Sequence, residues 1–149
     1  MKRFCQVLCL LLVGVFIAES ADKKILLIAG RPSHGPGDHE FRAGCLLLEK
    51  CLDQLPGTTA EVHDMGWPKS DDAFKGVDAI LIYADGGGRH PAIQPARTKL
   101  INDLIAKGVG VGCAHYGVEV PAGDTGKTMQ DWIGGYYEHK FSVNPMWAP

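Results

Sequence analysis

Four histidines, His34, His39, His90 and His115, each follow an apolar run of strand length, and acidic residues stand close by in the sequence. Histidine titrates near neutral pH, so it can take up and return a proton, and a carboxylate partner fixes its tautomer. Cys113-Ala114-His115-Tyr116-Gly117 has the x-x-nucleophile-x-Gly form of the sharp turn that presents a reactive side chain after a strand. His115 stands at its apex, with a thiol two positions earlier. His39, Glu40, Asp85, His90 and Glu119 are its candidate neighbours. This makes His115 a general acid or base, with Glu119 orienting or assisting it and with His34 and His39 on the opposing wall. His115, Glu119 and His39 are the catalytic candidates. Two histidines and a carboxylate also suit zinc or a similar divalent ion, although no H-E-x-x-H or comparable ligand spacing occurs. No cofactor is expected, a divalent metal being the runner-up.

Other chemistries are excluded by spacing. Gly126-Lys127-Thr128 ends like a phosphate loop, but Pro121 stands where the first glycine is required, and the segment does not follow the first strand. Gly86-Gly87-Gly88 has the wrong spacing for a dinucleotide fingerprint, and the first strand leads into Gly30-Arg31-Pro32. A formal charge of −2 over 149 residues lacks the basic excess that nucleic-acid binding needs. Cys45, Cys51 and Cys113 form no C-x-x-C pair, so neither a zinc ribbon nor a disulfide framework is indicated; Cys45 and Cys51 are expected to be core thiols.

The elements that must position these residues follow from apolar periodicity. Lys24 to Ala29 is a continuous apolar run suited to a strand covered on both faces. Asp38 can cap a helix starting at His39, with Phe41, Cys45, Leu48, Leu52 and Leu55 on one face and Pro56-Gly57 as its stop. Thr59 to His63 and Val77 to Ala84 read as the next strands, and Asp85 to Gly88 as loop. Pro95 opens a second helix, whose stripe is Leu100, Ile101, Leu104 and Ile105, and Gly108 closes it. Val109 to Cys113 is a fourth strand, and a short helix is expected near Thr128 to Ile133. This order predicts an α/β fold with a doubly wound parallel sheet, which binds ligands beyond the carboxyl ends of its strands. The histidines all gather there.

Four segments, KILLIAG with SHGPGDHEF, VDAILIYADGGGRH, GVGVGCAHYGVEV and DWIGGYYE, carry a likeness in their order and spacing over about residues 24–138. On these the chain resembles the ThuA-like family, relatives of the class I glutamine amidotransferase fold named for trehalose utilisation. The resemblance implies a flavodoxin-like sheet and an association with carbohydrate. Amidotransferases place cysteine where this chain has His115, whereas ThuA-like members place histidine there in a G-x-H-x-A/G pattern. Cys113 departs from the first glycine of that pattern. A glutaminase needs a thiolate at the apex, so glutamine hydrolysis is not expected, and Cys113 should point back into the sheet.

The resemblance thus points to His-based acid/base chemistry on a small sugar or sugar derivative. The alternative is a non-catalytic carbohydrate- or metal-binding accessory module. The residues expected to bind the ligand are His34, Asp85, Gly86, Gly87, His90, Tyr116, Trp132 and Tyr136. Glycines 86 and 87 would let backbone amides approach it, and aromatic faces would stack on sugar rings. Structural roles compete: His90 can cap the loop into the second helix, and Trp132, Tyr136 and Tyr137 can be core. His63 and His139 have no expected role.

Residues 1–20 have the layout of an export signal, with Lys2 and Arg3, an apolar stretch from Phe4 to Ala18, and small residues before a cut after Ser20. The mature protein, residues 21–149, is therefore expected to be periplasmic or extracellular, touching a membrane only if the signal stays uncleaved. Four strands and an ending at Pro149 fit the amino-terminal portion of a ThuA-like domain. An unfinished sheet edge would favour self-association.

Overall fold

A computed structural model describes residues 22–143. The export-signal reading of residues 1–20 lies outside the described residues. Among these, no helix is long and apolar enough to cross a membrane.

The strands are β1 (Lys23–Ala29), β2 (Thr58–His63), β3 (Ala79–Tyr83) and β4 (Gly110–Ala114); the helices are α1 (Phe41–Leu52), α2 (Pro95–Ile105) and α3 (Asp124–Ile133). All four strands are parallel, in the order β2-β1-β3-β4. This is the α/β architecture of a flavodoxin-like, doubly wound sheet. Strand β1 lies in the middle, and its apolar run serves both faces. Leu26 and Ile28 pack with Ile80, Ile82, Ile101 and Leu104 on the α2 side. Leu27 and Ala29 pack with Phe41 and Cys45 on the α1 side. Because alternate residues of a strand point to opposite faces, an uninterrupted apolar sequence is what a strand between two helical layers requires.

Helix α1 departs from the expected boundaries at both ends. It starts at Phe41 rather than His39, without an Asp38 cap, because the preceding residues serve the loop. The Glu40 carboxylate accepts the Gly37 amide at 2.8 Å, and the His39 carbonyl accepts the Phe41 amide at 3.0 Å. It ends at Leu52, and the Asp53 carboxylate then accepts the Ala60 amide at 2.9 Å, tying the turn to β2. The expected stripe therefore shortens: Phe41 and Cys45 are buried, whereas Leu48 and Leu55 are exposed. Cys51 is also exposed, not a core thiol. Helix α3 begins at Asp124, four residues earlier than expected, and Gly87–Arg89 forms one 3-10 turn within the glycine loop.

Candidate functional site

With α1 and α2 on opposite faces, the chain leaves β1 and β3 in opposite directions, and a crevice opens beyond their carboxyl ends. His39 lies in the connection after β1, Asp85 just after β3, and His115 directly after β4. Three separate connections thus deliver one residue each to the same sheet end.

The turn after β4 is held by contacts that require glycine. His115 has φ +54°, a conformation uncommon for a residue with a side chain, and opens a 3-10 turn over His115–Val118. A Cβ on Gly117 would lie 3.0 Å from the Ile82 carbonyl oxygen, so the turn presses on the end of β3. A Cβ on Gly86 would strike the carbonyl oxygens of Tyr116 and Glu119, and the Gly87 amide donates to the Glu119 carbonyl at 2.9 Å. The β3 loop and the β4 turn form one backbone unit. The elbow expected at His115 is present, with Cys113 in place of a glycine.

His39 is the centre of the constellation. Its side chain is only 11% exposed, and its Nδ1 lies 3.0 Å from Asp85 Oδ1. Its Nε2 lies 3.1 Å from His115 Nε2. The proton count follows from donors and acceptors. With the Asp85 carboxylate accepting from Nδ1–H of neutral His39, Nε2 of His39 must accept. His115 then donates from Nε2–H, and its Nδ1 keeps a lone pair. Histidine 115 is the basic end of an Asp–His–His chain. Its pKa lies below the ordinary imidazole value, chiefly through partial burial; positive charge on His39 or His34, when either is protonated, acts in the same direction, and Asp85 opposes it.

Tyr116 closes one side, its ring centre 5.1 Å from that of His115 and 5.7 Å from that of His39. His34 lies against His39 with ring centres 3.7 Å apart, and the Ser33 hydroxyl reaches His34 Nδ1 at 2.8 Å. Ser33 was not among the expected residues; only its place between the β1 loop and His34 could have marked it.

Glu119 shares a hollow of about 150 Å³ with His115, Tyr116 and Tyr137, but no hydrogen bond or ion pair among the described residues holds its carboxylate. The acid partner is Asp85, acting through His39. Tyr137, joined to Glu119 by a β-bridge, lines this hollow, whereas Tyr136 lies over Gly126 of α3. Trp132 donates Nε1–H to Asn102 of α2 at 2.6 Å and packs on the core. Trp132 and Tyr136 are therefore not brought to the histidines. His90 is 1% exposed, and its Nδ1 accepts the Ala92 amide at 3.2 Å, the loop-capping role. Burial pushes its pKa down to about 4, with the Gly117 backbone opposing in part. Cys113 faces Met129 with sulfurs 3.9 Å apart, and burial pushes its thiol up to about 12. It supplies no thiolate at neutral pH.

A divalent ion also has candidate ligands. One ligand atom each from His34, His39 and Asp85 lies within 4.8 Å of the others, a donor set that zinc accepts. No protein-family model, curated protein or solved structure matches this chain.

Proposed function

We propose that this chain is an exported ThuA-like enzyme in which His115 works as general base and then acid on a small sugar or sugar derivative. The observation that carries this reading is the Asp85–His39–His115 chain of hydrogen bonds. A proton taken from a substrate hydroxyl or C–H by Nδ1 of His115 makes that ring an imidazolium. The charge is then shared through the nitrogen pair with His39 and compensated by Asp85. The same proton returns to a leaving or rearranged group. A thioester route is not part of this reading, because the apex is an imidazole and the nearby thiol is half-buried and protonated.

The test is conversion of mono- and disaccharides, trehalose included, followed by mass spectrometry on the full chain and on a His115→Ala variant. The expected result is turnover of at least one sugar, lowered by about 10²–10⁴-fold in the variant with binding retained. Turnover that survives the substitution would overturn the reading, and so would a loss of affinity alone, which would mark a binding module.

A second reading has its own observation, the His34, His39 and Asp85 cluster, and makes the site a metal centre. Stoichiometric zinc or another divalent ion in the purified chain, absent from a His34→Ala variant, would favour it.

A further inference from the structure

Beside the histidines, the carboxyl ends of β1 and β3 open into a cleft of about 520 Å³. The charged residues that line it are three arginines, Arg31, Arg89 and Arg97, and one acid, Asp85. That carboxylate is already bonded to His39. The arginines come from three different segments: Arg31 directly after β1, Arg89 from the turn after β3 and Arg97 from the first turns of α2. A chance surface run of charge would come from one.

Arg97 is held in place: Nη1 donates to the Pro91 carbonyl at 2.9 Å, and its guanidinium lies 5.4 Å from the Trp67 ring centre. Arg31 lies over Gly66, at ordinary van der Waals distance. Among the described residues, neither Arg31 nor Arg89 has an ion pair or side-chain hydrogen bond. Two guanidinium forks are thus free beside a fixed third in one concave wall. Such a wall lowers the energy of an oxyanion, because planar forks donate in pairs to carboxylate or phosphate oxygens.

We infer that this cleft is an oxyanion site. It takes the carboxylate or phosphate of a ligand whose neighbouring part reaches His39 and His115. Ser33 and Asp85 make the connection, since both line the cleft and bond, respectively, to His34 and to His39. The substrate class is then an acidic sugar, either a sugar acid or a sugar phosphate. The sugar part rests on the acid/base reading of His115, whereas the anion site does not.

The experiment is calorimetric titration of the full chain with glucuronate, glucose 6-phosphate, inorganic phosphate and glucose. At least one oxyanion is expected to bind saturably at one per chain and more tightly than glucose. That affinity should fall about tenfold or more in an Arg31→Ala/Arg89→Ala variant, and also with added salt. Glucuronate binding alone identifies a carboxylate ligand, and glucose 6-phosphate binding alone a phosphorylated one. A Lys75→Ala/Lys99→Ala control, which removes two exposed cations elsewhere, should leave it unchanged. Glucose binding as tightly as the acids would overturn the proposal, as would anion affinity indifferent to the two arginines. Anion binding retained in His115→Ala, without turnover in the parent chain, would keep the cleft assignment and remove the acid/base reading.

Discussion

His39 and His115 are 76 positions apart in sequence, yet their Nε2 atoms lie 3.1 Å from one another. A nitrogen–nitrogen hydrogen bond uses one donor and one acceptor, so the two rings cannot choose their tautomers independently. Asp85, 3.0 Å from Nδ1 of His39, decides for both. The His115 end of the chain is a base because its other end is a carboxylate.

An Asp85→Asn substitution tests this directly. An amide donating its N–H to His39 Nδ1 would put the His39 proton on Nε2 and oblige His115 to accept there, so the His115 proton moves to Nδ1. Two-bond proton–nitrogen NMR spectra of the imidazoles should show both tautomers reversed. Sugar turnover, where it exists, should fall by about 10²-fold or more. Unchanged tautomers both in this variant and in Asp85→Ala, which offers His39 no acceptor, would mean that Asp85 does not govern the pair.

The pH behaviour of His115 has a determined sign. Partial burial, reinforced by positive charge on His39 or His34 when either is protonated, disfavours its protonated form, so it stays a neutral base below the usual imidazole range. An NMR titration of its ring should have a midpoint below about 6.5, the ordinary value. The acid limb of any activity should follow it. Asp85→Asn should move the midpoint lower still, because Asp85 is the group that raises it, and His34→Gln should move it up. A midpoint at or above the ordinary value in the parent chain would contradict the packing described for this ring.

The sheet was legible because β1 and β3 are apolar on both faces, a pattern few other environments accept. The elbow was legible from Gly117, where a Cβ would press on the Ile82 carbonyl oxygen. The end of α1 was not. Leu48 and Leu55 keep the helical spacing but are exposed, and periodicity cannot say how far a neighbouring layer extends. Nor could sequence order choose the carboxylate partner. Glu119 is four residues from His115, but Asp85 meets the relay across two crossovers, a matter of tertiary register. Tyr136 and Tyr137 show the same limit, since adjacent residues face different ways and only one lines the hollow.

Gly86→Ala should be far more damaging than Gly44→Ala, although both would bring a Cβ into collision. At Gly86 the obstacles are the carbonyl oxygens of Tyr116 and Glu119, and moving them dislodges His115. At Gly44, inside α1, the obstacle is a side chain, the edge of the Tyr83 ring, rather than backbone, and alanine gains helix propensity there. The expected losses in urea unfolding are about 3 kcal/mol or more for Gly86→Ala and about 1–2 kcal/mol for Gly44→Ala. Equal losses would mean that the β3 loop and the β4 turn are not the rigid unit described.

His90 makes the fold sensitive to acid. It is buried neutral, with its pKa pushed down to about 4 by burial, whereas in the unfolded chain it titrates near its ordinary value of about 6.5. The unfolded state therefore binds the proton first as pH falls. The stability that His90 leaves undisturbed at pH 7 is lost progressively between about pH 6.5 and pH 4, a loss of about 3 kcal/mol over that window. A His90→Gln variant keeps an acceptor for the Ala92 amide and cannot acquire the charge. Urea unfolding of the two chains at pH 7 and pH 4.5 separates this contribution from that of the carboxylates, which both chains share. The parent should lose about 2–3 kcal/mol more than the variant on that shift. Parallel losses in the two chains would show that His90 is not the acid-sensitive group.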